Sequence, residues 1–387
     1  ALKMKVEEVV RNLFSLFILG YVIVFFSTLF KGGSKPGQSA EEISKKRLED
    51  EFLKQQLIEK NREIRNLQMD AKKNSDIIKK LKTDMERIKP IATSINRPGL
   101  IILGMHRSGT SVLGGLINKM GLKTGGPLIA AAEDNEKGFF ERIDVVLQND
   151  YLMQKQGVYY SFKTYKFDAL TGIKDILMNK DGQLFNEGRK AVAFFNEKRN
   201  YPWMLKDPRL CITFRMWLPL LNFIPAILFT YRHPLDVALS MHKREFEKFR
   251  VERGLRMWYV YNRRAVEQSH DLCRVATSHH AIMTQPQQEL SRIYSELRDI
   301  CGVPVPRQLS SEDIADFIDI KLQHGRSTLK DDSCSKDLSI LQPPESWPTN
   351  DENHIELYRE VMRVYCALES GDALKSSFQW DSNIRDD

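Results

Sequence analysis

No CxxC pair occurs in this chain. Cys211, Cys273, Cys301, Cys334 and Cys366 are scattered singly along 387 residues, which leaves no zinc-binding spacing and predicts no resident metal. In an oxidising compartment they allow one or two disulfides and leave an odd thiol. There is no internal repeat and no Asn-x-Ser/Thr sequon. No Lys/Arg block interleaved with aromatics appears, so a nucleic-acid partner is not expected, although the net charge is +7 and the pI near 9.0. The positive balance suits anionic small molecules and an acidic glycan instead.

One long uncharged run is present. Residues 13–30 carry no charge, hold bulky aromatics to their end, and just span a bilayer. A cleaved signal peptide is the alternative, but no small-x-small site precedes Lys31. The sequence therefore reads as a short tail at 1–12, a transmembrane signal anchor at 13–30 and a linker at 31–40 containing Gly-Gly-Ser-Lys-Pro-Gly. The flanking charges, Lys3, Lys5 and Arg11 against Lys31, Lys35, Lys45, Lys46 and Arg47, do not set an orientation. Residues 41–89 follow a heptad. One seam takes Ile43, Asp50, Leu57, Ile64, Ala71, Ile78 and Met85, the other Lys46, Leu53, Lys60, Leu67, Asn74, Leu81 and Ile88. Ten of the fourteen are apolar, which predicts a coiled-coil stem and a parallel homodimer with Asn74 in the seam. A single charged helix is the competing reading. Pro90 ends it.

From residue 98 to 387 strand-like and helix-like segments alternate, predicting an α/β domain with a mainly parallel sheet flanked by helices. Strands are expected at 100–103, 203–205 and 226–231. Helices are expected at about 111–120, 143–155, 184–198, 236–248, 252–268, 286–300 and 354–369, with an exposed loop over 325–352.

Two motifs stand at strand ends, where ligands of such sheets bind. In the first, Leu100-Ile-Ile-Leu runs into Gly104-Met-His106-Arg107-Ser108-Gly109-Thr110-Ser111 and then a helix. Strand, glycine-bearing loop and helix N-terminus together make an anion cradle. The spacing matches a Walker A loop, but Thr110 stands where the triphosphate-binding lysine belongs. In the second, a strand ends at Arg232, and Ser240 follows eight residues on.

Together these motifs resemble the sulfotransferases that use 3′-phosphoadenosine 5′-phosphosulfate (PAPS). In that family a basic-Ser-Gly-Thr-Ser/Thr loop grips the 5′-phosphosulfate, and an Arg followed eight residues later by Ser grips the 3′-phosphate. The segments Asp134–Glu141 and Trp203–Leu210 look like further elements of it. The likeness runs from Pro98 onward and fades after about residue 300, where Lys321, His324 and Arg326 are candidate substitutes for a missing Gly-rich closing loop. The resemblance implies a P-loop NTPase-like fold and PAPS as co-substrate. It places His106, Arg107, Ser108, Gly109, Thr110, Ser111, Arg232 and Ser240 at the donor. It also implies a single-pass type II Golgi membrane protein with a luminal catalytic domain. The expected acceptor is a glycan or another hydroxyl compound.

In-line sulfuryl transfer needs a base for the acceptor hydroxyl and a cation for the departing oxygen. Glu141 and Glu133 are the candidate bases, as carboxylates are in relatives acting on carbohydrates and tyrosyl proteins, with His106 a rival beside the loop. Arg107, with the amides of 108–111, is expected on the leaving side, and Lys206 within reach of the sulfonate or acceptor. Asp207 and Arg209 are expected either to serve there or to pair with each other. Trp203, Trp217 and Trp258 are candidates for stacking or for core. Two other classes remain: a P-loop kinase, which the missing lysine disfavours, and an inactive membrane-tethered scaffold.

Overall fold

The computed structural model describes residues 55–56, 58–59, 97–132, 135–169, 171–172, 183–244, 249–318, 334 and 337–387. The expected span at 13–30, the linker, nearly all of the stem, Glu133, Lys321, His324 and Arg326 lie outside the described residues. Among the described residues no helix is long and apolar enough to cross a membrane.

Four parallel strands form one sheet in the order β2-β1-β3-β4: β1 Gly99–Leu103, β2 Trp203–Lys206, β3 Ala226–Tyr231 and β4 Arg274–Ser278. Every residue of the four is buried, as in a parallel sheet covered on both faces. The side chains divide by alternation. Ile101, Leu103, Leu205, Ile227 and Phe229 enter one core layer, and Leu100, Ile102, Met204, Leu228 and Val275 the other. Each such Leu or Ile contributes roughly 1.5–3 kcal/mol by leaving water. Register is fixed tightly at one corner. Gly99 pairs with Trp203, and a Cβ at residue 99 would meet the indole at 2.2 Å.

Helices close both faces. The first layer receives α2 (Ile143–Lys155), α3 (Gln183–Asn196), the short α4 (Leu210–Thr213), α5 (Pro234–Arg244), α6 (Val251–Gln268) and α10 (Glu352–Ser370). The second layer receives α1 (Thr110–Lys119), α8 (Pro286–Ser295) and α9 (Ser311–Phe317), with α7 (His279–Thr284) opening directly from β4. Of the stem, residues 55–56 and 58–59 are helical. Ile58 is buried in the second layer, and Gln55 Oε1 accepts from the backbone N–H of Arg274 at 3.2 Å. Neither is a seam position of the heptad.

The structure departs from expectation at several elements, the short α7 among them. β4 was not foreseen because Arg274-Val-Ala-Thr-Ser has no apolar run; its polar ends are consumed internally. α9 was missed although its capping box is written in the sequence: Ser310 caps the N–H of Asp313, and the Asp313 carboxylate returns to Ser310. The helix expected over 286–300 is regular only to Ser295 and closes in a π-turn, Glu296–Ile300. Within the expected loop 325–352, Cys334 is bonded to Cys366 of α10, and Leu338 and Trp347 pack on the first core layer. A second disulfide joins Cys273 to Cys301, and Cys211 is the odd buried thiol.

Arg274 ties the edge strand to the C-terminal region. Its buried guanidinium donates to Val266 O, Ser269 Oγ and Leu374 O, each at 2.8 Å. We predict that Arg274→Met, which strands those three acceptors, lowers unfolding free energy in urea by about 2–4 kcal/mol.

Candidate active site

The cleft lies at the C-terminal ends of β1, β2 and β3. β2 pairs on one side of β1 and β3 on the other, so the crossover reverses there and opens a crevice. Its floor is the loop after β1. Gly104 lets the β3 backbone close in, since a Cβ there would meet Thr230 O at 2.7 Å, and its N–H donates to Cys211 Sγ at 3.2 Å. Arg107 and Gly109 both take left-handed backbone angles, φ 65° and 81°. The Ser108 N–H turns back to Met105 O at 3.2 Å. α1 then begins with no side-chain cap and no acidic residue in its first turn. Its N-terminal amides and dipole point at the cleft, where an anion would complete them.

Three basic side chains stand around this loop. Lys206, at the end of β2, donates to Glu141 Oε1 at 2.6 Å, to Phe139 O at 3.0 Å and to Ser111 Oγ at 3.1 Å. Arg107 turns away from the loop mouth, and its Nε donates to Ser240 Oγ at 2.9 Å. Arg232 reaches Arg107 O and Asp236 Oδ2, each at 3.4 Å, while its own carbonyl accepts from Trp258 Nε1. The two sequence motifs thus meet at one hydrogen bond. Arg107 stands with Arg232 and Ser240, and Lys206 stands beside Ser111 at the loop mouth.

Behind Lys206 lies an ion network. Arg209 pairs with Asp150 at 2.6 Å and Asp207 at 3.0 Å, and its Nη1 stands 3.9 Å from Glu141 Oε2. Asn149 Nδ2 donates to Asp207 at 2.8 Å, and Asn149 Oδ1 accepts from Thr213 and Trp217. Asp207 and Arg209 are therefore an ion pair that shapes the site. Burial works against the Arg209 charge, but Asp207 and Asp150 outweigh it and hold the guanidinium ionised. Burial pushes the Glu141 carboxyl above the ordinary carboxylate range, with Lys206 pulling the other way. His106 packs on Tyr160 and Tyr261, and its Nε2 is buried without a hydrogen-bond partner. Burial, then Arg209 and Lys206, hold that imidazole well below its usual pKa and hence neutral.

His106, Arg107, Gly109, Thr110, Ser111, Glu141, Lys206, Arg232 and Ser240 all line one cleft of about 400 Å³, with Ser108 buried beneath it. The other candidate base, Glu133, lies outside the described residues. Trp203, Trp217 and Trp258 are wholly buried and each indole N–H is bonded within the protein, so they are core and none stacks on a ligand. Sequence reasoning missed His279, whose ring lies where a Cβ on Gly109 would be, 2.4 Å from Cδ2. Burial and Arg232 lower its pKa to about 3. Its signal was hidden with β4, which it follows. Tyr160 and Phe317 also line the cleft and carried no motif. Among the described residues no His, Cys, Asp or Glu cluster could hold a metal ion.

Fold and cleft define an α/β protein with a strand–loop–helix turn and basic side chains from three strand ends around one cleft. No protein-family model matches the sequence, and no curated protein matches it at significant similarity. Among solved structures, the sulfotransferase domain of the Synechococcus PCC 7002 olefin synthase is similar, with a TM-score of 0.36 and 12% identity over 68% of this chain and 94% of that one.

Gly109 has both a left-handed backbone and no room for a side chain. We predict that Gly109→Ala costs about 1–2 kcal/mol in thermal unfolding. Millimolar pyrophosphate should raise the Tm of the wild-type chain and leave that of Gly109→Ala unchanged.

Proposed function

We propose that this chain transfers a sulfuryl group from 3′-phosphoadenosine 5′-phosphosulfate to an acceptor hydroxyl, taken to be that of a carbohydrate. The observation that carries this reading is the Arg107–Ser240 contact, which joins a loop lacking the Walker lysine to a second, Arg232-bearing anion position. A nucleoside triphosphate presents its phosphates in one chain. A donor with separate 5′ and 3′ groups matches two linked positions. The residues fit such a donor: loop amides, Ser108, Thr110, Ser111 and Lys206 for the phosphosulfate, and Arg107, Arg232 and Ser240 for the 3′-phosphate. The cleft volume is within the range that holds a small ligand.

The chemistry assigns roles to the paired charges. The acceptor oxygen attacks sulfur in line, its proton passes to Glu141, and the bond from sulfur to the bridging oxygen breaks. The electron pair leaves on the 5′-phosphate of the bisphosphate product. Glu141 Oε1 is occupied by Lys206, so Oε2 takes the proton. Lys206, beside Ser111 of the loop, neutralises charge growing on the departing oxygen. Burial that raises the Glu141 pKa makes it a stronger base than an exposed carboxylate.

Two disulfides support residence in an oxidising lumen. With residues 13–30 as a type II Golgi anchor, the catalytic domain would be luminal, and the heptad stem would pair two copies at the membrane.

Calorimetry on the full chain tests the donor site. We expect 3′-phosphoadenosine 5′-phosphate to bind, and Arg107→Ala and Arg232→Ala each to weaken it about 10- to 100-fold. Binding of ATP with Mg²⁺ in its place would point to a kinase, and binding of neither to a scaffold. Glu141→Gln should cut kcat about 10²–10⁴-fold while the bisphosphate still binds. A base must be ionised, so kcat/KM should fall as pH drops through the Glu141 pKa. Lys206 lowers that pKa, so Lys206→Met should move the acid limb to higher pH in a pH–rate profile.

A further inference from the structure

A second cavity of about 590 Å³ adjoins the cleft and shares Tyr160 and Arg209 with it. Its other walls are Asp150 and Gln154 from the last turns of α2, the turn at 159–162, and Arg253 from α6. That turn is held firmly. Tyr159 and Phe162 exchange backbone hydrogen bonds at 3.0 Å, Ser161 O accepts from Arg253, Tyr160 O accepts from Tyr261, and Asp386 takes the N–H and hydroxyl of Thr164 just beyond. A turn anchored at so many points presents its rings in fixed positions, which limits the entropy lost on binding. Tyr159 nevertheless stays 52% exposed, among the most exposed large apolar side chains described. Arg253 Nε is buried with no hydrogen-bond partner.

Charge separates the two cavities. The donor cleft is lined by six Lys or Arg and two Glu. The proposed donor carries about four negative charges at neutral pH, so it consumes that excess. In the second cavity Arg209 and Arg253 face Asp150, and Asp207 stands 3.0 Å behind Arg209. With Lys163 over the Phe162 ring, cations exceed carboxylates there by one, against four in the donor cleft, so the pull on a polyanion is far weaker. Arg209 lies over the Tyr160 ring and Arg253 and Lys163 over Phe162, so what remains is the exposed Tyr159 ring beside an amide, a carboxylate and a guanidinium. Rings of this kind cover the apolar C–H face of a sugar, and planar polar groups pair with its hydroxyls.

Building on the proposed function, we infer that this second cavity is the acceptor subsite and that it takes a neutral saccharide. The saccharide enters past Tyr159 and presents one hydroxyl between Tyr160 and Glu141. The notion that the positive net charge serves an acidic glycan is thereby replaced: the charge serves the donor.

The test measures transfer from ³⁵S-labelled donor by the full chain to three acceptors: cellohexaose, a hexameric oligogalacturonate and an acidic tyrosine peptide. Cellohexaose should give the highest kcat/KM. Tyr159→Ala and Gln154→Ala should each raise its KM about tenfold, with kcat and bisphosphate affinity within about twofold of wild type. A general loosening of the fold would move kcat and bisphosphate affinity as well. Preference for the oligogalacturonate or the peptide would overturn the inference. So would an unmoved KM in both variants, or no transfer to any of the three by a chain that binds the bisphosphate. Failure of the wild-type chain to bind the bisphosphate would instead remove the donor reading beneath it.

Discussion

Lys206 Nζ and Glu141 Oε1 lie 2.6 Å apart with both side chains almost wholly out of water, and neither charge could stand at that depth alone. An unpaired ion so placed costs several kcal/mol, so the pair fixes both partners. Lys206 is the last residue of β2 and Glu141 belongs to the segment entering α2, so their contact clamps that segment over the loop after β1. The clamp also extends backward. Arg209, three residues beyond Lys206, is held between Asp150 and Asp207, and Asn149 fixes Asp207 while accepting from Thr213 and Trp217. One arm of α2 and one strand end are thereby locked together by hydrogen bonds whose partners, the half-buried Asp150 apart, are buried or nearly so. Removing any partner leaves another buried polar group unsatisfied, which is why the arrangement is rigid enough to position chemistry.

The sheet supplies the second constraint. Because β1 has neighbours on both sides, its loop opens between two crossovers, and the residues after β2 and β3 arrive at it from opposite directions. Lys206 comes from one side and Arg232 with Ser240 from the other. Arg107 bridges toward the latter only because its backbone adopts a left-handed angle. In an ordinary helical or extended conformation the side chain would leave the loop elsewhere. Gly109 and the neutral, half-buried His279 ring against it complete the turn.

Much of this was legible in the sequence where local chemistry was strong. The run at 100–103, the loop at 104–111 and the strand ending at Arg232 could be read because apolar β-branched residues, a glycine loop and a helix start follow one another. Their convergence on one cleft followed from the parallel topology. Three things were not legible. β4 has polar residues that pair inside the protein, so its pattern resembles a loop, and His279 vanished with it. The direction of the Arg107 side chain depends on a backbone angle that no residue type announces. The turn at 159–162 lies far in sequence from either motif, and only packing against α6 and the C-terminal Asp386 brings it to the cleft.

The departure from the Walker pattern can now be understood in terms of packing as well as ligand. Thr110, in the lysine's place, is 4% exposed, and its methyl group would lie 2.7 Å from a Cβ on Gly104. A long side chain starting there would have to leave a position already filled by the end of β1 and by Thr230. The cation arrives instead from β2, where Lys206 is aimed by Glu141 rather than by a phosphate chain. A lysine carried on the helix follows an extended triphosphate wherever it lies. A lysine pinned to a carboxylate serves one fixed point, next to Ser111. That geometry delivers one carboxylate and one cation to the loop mouth as a single unit.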